Sequence, residues 1–193
     1  MEAKSEIKKI VIIGPESTGK STLCTQLAEH YNSVWVREYA REYLEKNGTD
    51  YTFENLYEIA MGQLKGEQLA VDSWQLAARQ STNNDQPTTS KPIFIDTDLY
   101  VMKVWSEFVF NKCDNRILTQ ITKRKYDLYL LCNTDLPWVA DNLREYPDLE
   151  SREKLFHHYK EQMTEQHVPW VIISGGYEER LAMAIEAVDR LIG

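Results

Sequence analysis

The chain has 193 residues, 42% of them hydrophobic and 27% charged, with a formal net charge of -8. That size and composition fit one globular domain with a sizeable core, and the acidic balance argues against a nucleic-acid binder that works by neutralising phosphates. Three cysteines without a C-x-x-C pair, four histidines (His30, His157, His158, His167) without metal spacing, no export signal in Met1 to Lys9 and no apolar stretch near eighteen residues set the expectation: a reduced, soluble, cytoplasmic chain with no membrane partner.

In chain order, Ile10-Val11-Ile12-Ile13 is a continuous apolar run that reads as a buried strand, and Leu23, Leu27 and Tyr31, spaced by four, mark a helix. Between them stands Gly14-Pro15-Glu16-Ser17-Thr18-Gly19-Lys20-Ser21, followed by Thr22. This is the G-x-x-x-x-G-K-[ST] phosphate loop in the strand, loop and helix setting that it requires. Its glycines let successive backbone N–H groups turn inward on an anion beside a helix N-terminus. Lys20 is placed to meet β- and γ-phosphate oxygens, and Ser21 to offer a hydroxyl to Mg²⁺. ATP and Mg²⁺ are the cofactors this implies. Glu16 is the odd member, an acid inside an anion site, expected to point outward or towards a substrate hydroxyl.

Ser33-Val34-Trp35-Val36 is a short β-prone run, with Glu38 just beyond it. Ligands of parallel α/β sheets meet the carboxyl ends of strands, so Glu38 stands where a reacting group would. Its other reading is an ion pair with Arg37, Arg41 or a lid arginine. Helical pattern resumes through Leu44. Residues 52–79 read as a helix on Leu56, Ala60 and Leu64, interrupted by Gly62 and Gly66, and residues 80–92 as a polar, proline-containing surface loop. Ile93-Phe94-Ile95-Asp96 is an apolar strand delivering a carboxylate beside the phosphate loop, where it can hold a water of Mg²⁺. Asp98 is a second acid at the same edge. Val101, Val104, Trp105 and Phe108 mark an amphipathic helix in which Trp105 reads as core, and Lys123-Arg124-Lys125 as a solvated helix end.

Residues 126–131 form a further strand. Asn133-Thr134-Asp135 lacks the Lys and the spacing of a guanine-reading motif, and Leu99 stands where a D-x-x-G switch would need glycine, which excludes a signalling GTPase. Arg144 and Arg152, ahead of the last strand, suit a lid over ATP. Surface ion pairs with Asp141, Glu145 or Glu150 are the alternative. Leu155, Tyr159 and Met163 give a helix, residues 169–173 the last strand, and Ser174 to Tyr177 a turn suited to the adenine edge. Leu181, Ile185, Val188 and Ile192 close the chain with a helix.

Together, GPESTGKST, REYAREYL, FIDTD with its aromatic-rich helix, and YDLYLLCNTDLPWVADNLR resemble the ribosylnicotinamide kinase domain of NadR-type proteins, from about Lys9 to Val188. The phosphate loop is generic, whereas E-Y-x-R-E, I-D-T-D and W-V-x-D-x-x-R make the resemblance specific. It implies one α/β domain over 1–193, a parallel five-stranded sheet in the order 2-3-1-4-5 with helices on both faces, and a lid over about 134–153. It implies transfer of the γ-phosphoryl of ATP to the 5′-hydroxyl of nicotinamide riboside, a small-molecule nucleoside acceptor, giving nicotinamide mononucleotide in NAD biosynthesis.

On this reading Gly14, Pro15, Glu16, Ser17, Thr18, Gly19, Lys20, Ser21 and Thr22 hold the nucleotide, with Tyr177 at its adenine edge. Ser21 and Asp96 organise Mg²⁺, and Lys20 stabilises phosphate charge. Glu38 accepts the hydroxyl proton, with Asp98 its competitor for that role. Tyr39, Arg41 and Asp98 contact the substrate, while Arg144 and Arg152 cover the phosphates. The best-known members carry this domain behind an adenylyltransferase domain, and here the first strand begins almost at once. The expectation is a chain that makes the mononucleotide and not NAD. The loop over 80–92 is longer than the family pattern. A kinase of another nucleoside or nucleotide, and a non-kinase P-loop ATPase, are the other readings of this scaffold. The oligomeric state is not legible.

Overall fold

The structure is a computed structural model that describes residues 7–80 and 91–193. Its centre is a parallel sheet of β1 (Lys8–Ile13), β2 (Trp35–Val36), β3 (Pro92–Asp96), β4 (Leu128–Cys132) and β5 (Trp170–Ile173), in the spatial order β2-β3-β1-β4-β5. This is the expected order. The three inner strands are apolar almost throughout because both of their faces are covered, as parallel sheets require. Val11 pairs with Ile95 on one side and Tyr129 on the other.

Side chains alternate between two cores. On one face Ile10, Ile12, Phe94 and Leu130 pack against Leu23, Cys24 and Leu27 of α1 (Lys20–His30) and against Ala184 and Val188 of α7 (Tyr177–Ile192). On the other, Val11, Ile13, Ile93, Ile95 and Leu131 meet Val101 and Val104 of α4 (Leu99–Phe110) and Leu155, Tyr159 and Met163 of α6 (Leu149–Glu165). A third cluster joins Ala40 of α2 (Tyr39–Asn47) to Leu56, Ile59 and Ala60 of α3 (Phe53–Gln80) and to Ile117 of α5 (Asn115–Lys123).

Three differences from expectation have physical causes. First, α3 runs unbroken through Gly62 and Gly66. Gly62 marks a close approach, because a Cβ there would collide with the ring of Tyr39. Second, α5 is a helix where the sequence shows only a charged end; it buries Ile117 and is capped by Asp114, which accepts from Arg116 N. Third, residues 133–148 form a connector without helix or strand, and α6 begins at Leu149. The last part of the expected lid is therefore helix. The predicted loop falls largely on residues 81–90, outside the described residues. Among the described residues no helix is long and apolar enough to cross a membrane.

All five strands point the same way. The segments that follow them, Gly14 to Gly19, Glu38, Thr97 with Asp98, the start of the connector, and Ser174 to Gly176, therefore collect along one edge, where ligands of such sheets bind.

Candidate active site

The phosphate loop leaves β1 at that edge and curls into the N-terminus of α1. At Gly14 φ is 140°, and a Cβ would stand 2.6 Å from the carbonyl oxygen of Cys132 on β4. Only glycine lets the chain turn this close to its neighbouring strand. Thr18 Oγ1 (2.7 Å) and Lys20 Nζ (2.9 Å) both donate to the Pro15 carbonyl, folding the loop over the helix start. Ser17 sits at φ 56°, left-handed for a residue with a Cβ. It is held there from the connector and α6: its hydroxyl accepts Val139 N at 2.9 Å and Arg144 Nη1 at 3.4 Å of the connector, and its carbonyl accepts Arg152 Nη2 of α6 at 3.2 Å.

Ser21 Oγ donates to Asp96 Oδ2 at 2.5 Å. Asp96 is almost wholly buried, and its pKa is pushed up to about 6, first by burial and then by the charge of Glu38. A carboxylate so placed favours a nearby cation. A hydroxyl and one carboxylate are the hard oxygens that suit Mg²⁺ shared with nucleotide phosphates, and no cage of three or more His, Cys, Asp or Glu forms among the described residues.

Glu38 precedes α2 and lines the same cleft as Lys20 and Ser21. Thr97 Oγ1 lies 3.4 Å from both Glu38 Oε1 and Asp96 Oδ1, so one hydroxyl can donate to either acid. Thr97 has φ 74°, an unusual conformation for a β-branched residue that costs about 1–3 kcal/mol. The ion pairs weighed for Glu38 do not form among the described residues. Arg41 pairs with Asp141 at 2.9 Å and Glu45 at 3.9 Å, Arg37 lies over Trp35, and Arg144 donates to Ser17 and the Val139 carbonyl.

The far wall of the cleft is apolar and aromatic: Leu44, Val101, Trp105, Leu143, Tyr146, Leu155 and Tyr159. Trp105, which reads as core, is half-buried: it packs against the third cluster and also lines this wall, and its indole N–H donates to Tyr51 Oη at 2.8 Å. Arg144 also lines the cleft. The Trp138 ring lies against its guanidinium at 5.7 Å and against that of Arg152 at 5.6 Å.

Four expected site residues are placed elsewhere. Asp98 is buried away from the cleft. Its Oδ1 caps α4 by accepting Tyr100 N at 2.9 Å, and its Oδ2 accepts Tyr129 Oη at 2.7 Å. Each oxygen accepts from a neighbour, so in this structure Asp98 is a helix cap and is not part of the cleft lining. Tyr39 packs its ring against Gly62, and its N–H donates to Gln63 Oε1 at 2.8 Å. Arg152 is 3% exposed on α6 and does not line the cleft; its Nη2 donates to the carbonyls of Ser17 and Leu136 (3.3 Å), so it supports the loop from behind. Tyr177 borders the loop outside the cleft, half exposed, with Cε1 3.4 Å from where a Cβ on Gly19 would stand.

One residue escapes sequence reading altogether. Arg180 on α7 is 2% exposed and donates to the carbonyls of Thr18 (3.0 Å), Asn133 (3.0 Å) and Gly175 (2.7 Å), and to the carboxylate of Asp135. Asp135 Oδ2 in turn accepts Gly175 N at 2.6 Å. The available signal was position: Arg180 shares a helix face with buried Ala184, Ala187 and Val188, and a buried guanidinium must find acceptors.

Comparison with known proteins agrees with this geometry. The AAA domain family matches residues 9–180. The chain is 26% identical over 193 residues to the trifunctional NAD biosynthesis/regulator protein NadR of Salmonella typhimurium, an alignment covering 97% of this chain and 43% of NadR. It thus spans less than half the length of that relative. Against a crystal structure of NadR protein in complex with NR, the TM-score is 0.73 at 26% identity, covering 95% of this chain and 49% of the other. Thymidylate kinase from Ehrlichia chaffeensis, at TM-score 0.65, 11% identity and 95% and 99% coverage, shares the fold. The chain belongs to the AAA domain family of P-loop proteins and is homologous to NadR.

Proposed function

We propose that the chain is a cytoplasmic, ATP- and Mg²⁺-dependent kinase that phosphorylates the 5′-hydroxyl of nicotinamide riboside to nicotinamide mononucleotide. One observation carries this reading: Glu38, Lys20 and Ser21 line one cleft whose far wall is apolar and includes the aromatic rings of Trp105, Tyr146 and Tyr159. Phosphate chemistry and a flat organic acceptor can meet there. Homology to NadR, and the structure of NadR with NR, support nicotinamide riboside as the acceptor.

In this reading the loop amides and Lys20 hold the transferring phosphoryl and offset the charge it develops. Ser21 and Asp96 would hold Mg²⁺, which supplies neutralisation of the bridging phosphate oxygens when bound. Glu38 takes the proton from the attacking hydroxyl, since a primary alcohol is a poor nucleophile at neutral pH. Trp105 and Tyr146 offer faces for a planar base. Tyr177 flanks the adenine, and Arg144 approaches the phosphates from the connector, which serves as the lid. Arg41 holds that lid to α2 through Asp141.

A panel of nucleosides that includes nicotinamide riboside, assayed for ADP release and phosphorylated product, tests the reading. The expected result is mononucleotide from nicotinamide riboside and no dinucleotide. Turnover only with thymidine or a nucleoside monophosphate overturns the acceptor. ATP hydrolysis that ignores every acceptor overturns the kinase. In the same assay Glu38→Gln should lower kcat by roughly 10²–10⁴ with ATP affinity held; an active variant removes Glu38 from the proton transfer.

A further inference from the structure

Glu16 is an acid in a loop shaped to hold an anion, and a carboxylate facing inward there would repel incoming phosphates. The structure turns it to the connector. Oε2 accepts the backbone N–H of Glu145 at 2.9 Å and that of Tyr146 at 3.3 Å. Burial pushes its pKa up, and these two amides, followed by Lys20, oppose that shift, so the charged form is held by donors from outside the loop. The bonding continues beyond Glu145. Its Oε2 accepts Tyr51 Oη at 3.0 Å, and Tyr51 Oη accepts Trp105 Nε1 at 2.8 Å. One phosphate-loop carboxylate is therefore linked, through two consecutive connector residues, to both Tyr146 and Trp105 of the aromatic wall. Ser17 reinforces the tie by accepting Val139 N.

We propose that Glu16 is a positioning residue for the acceptor: by holding the Glu145 and Tyr146 amides it fixes the aromatic wall against the phosphate loop. Acceptor affinity then depends on Glu16 more than ATP affinity does. The functional half of this inference rests on the kinase reading; the tie between loop and connector does not.

Hydrogen exchange on the full chain, free and with AMP-PNP, tests the tie in wild type, Glu16→Ala and Glu16→Gln. The Glu145 and Tyr146 amides should exchange about tenfold faster in Glu16→Ala, while Glu16→Gln, whose amide oxygen still accepts, keeps most of the protection. The AMP-PNP dissociation constant of Glu16→Ala should move less than about threefold, and the KM for nicotinamide riboside should rise roughly tenfold with a smaller fall in kcat, partly restored in Glu16→Gln. Unchanged exchange at residues 145 and 146 in Glu16→Ala overturns the tie. AMP-PNP affinity that falls as far as riboside affinity overturns the positioning role and assigns Glu16 to the nucleotide. If wild type leaves nicotinamide riboside unphosphorylated, the kinase reading fails, and the exchange result alone decides whether Glu16 holds the connector.

Discussion

The two halves of the cleft are built in opposite ways. The phosphate half is nine consecutive residues, Gly14 to Thr22, whose working parts are mostly backbone N–H groups and a helix start. The other half, where the proposed acceptor would lie, is assembled from Arg41 and Leu44 on α2, Val101 and Trp105 on α4, Leu143, Arg144 and Tyr146 on the connector, and Leu155 and Tyr159 on α6. Local chain shape determines the first and tertiary packing the second. Chemistry common to many P-loop proteins therefore sits in the half that a short motif can encode. On the proposed function, selectivity would sit in the half that needs the whole fold.

Three substitutions probe that division. Lys20→Ala strikes the phosphate half and should cost roughly 10²–10³ in kcat with every acceptor the wild type uses, about 3–4 kcal/mol, with the melting temperature held. Near wild-type turnover would remove Lys20 from the phosphates. Trp105→Leu keeps apolar bulk at the acceptor wall and removes the aromatic face. The acceptor KM should rise about 3- to 10-fold, matching the 0.5–1.5 kcal/mol of an aromatic pair, while the ATP KM stays. An equal rise in both constants would show that the halves do not act separately.

Glu67 belongs to neither half and sharpens the comparison as a control. It is buried on α3 and accepts Tyr126 Oη at 3.0 Å. Burial first, and then the charge of Asp98, raise its pKa to about 7, against the pull of Tyr126, Lys9 and Arg124. A carboxyl whose folded pKa is raised binds more protons folded than unfolded between its ordinary value and about pH 7. Stability therefore falls as pH rises through that window, by about 3 kcal/mol, and levels off above it. Glu67→Gln should flatten this part of the profile, gaining on wild type at pH 8 relative to pH 5 in denaturant titrations, with kcat and both KM values unchanged. Parallel profiles would show that Glu67 titrates normally.

What could be read without coordinates follows the same division. The position of Asp96 was legible, because an apolar strand ending in an acid brings that acid to the sheet edge, where Ser21 Oγ meets it. Asp98, two residues on, carries the same letter, and only the N-terminus of α4 that it caps and the Tyr129 hydroxyl it meets distinguish the two acids. Gly62 looked like an interruption because glycine weakens helices, and its purpose is visible only against Tyr39 on another helix. Helical periodicity took Trp105 to the third cluster, which it does pack against, but not to the cleft it also lines, since periodicity gives the face and not everything that face meets. The order of the sheet came from family resemblance, because strand patterns alone do not fix neighbours. Arg180 was missed since its four acceptors come from segments far apart in the chain.

That arginine has a consequence for how the protein is made. The phosphate loop leaves the ribosome before α7 does, yet the Thr18 carbonyl is clamped by a side chain on that helix, 162 residues further along the chain. The loop can be synthesised, and β1 to β4 can begin to collapse, before its shape is secured. Nucleotide-binding competence should thus arrive late and abruptly, when α7 docks and Arg180 reaches the Thr18, Asn133 and Gly175 carbonyls. Nascent chains stalled before and after α7 emerges, compared for ATP binding, would show whether the order of synthesis and the order of activation are reversed in this way.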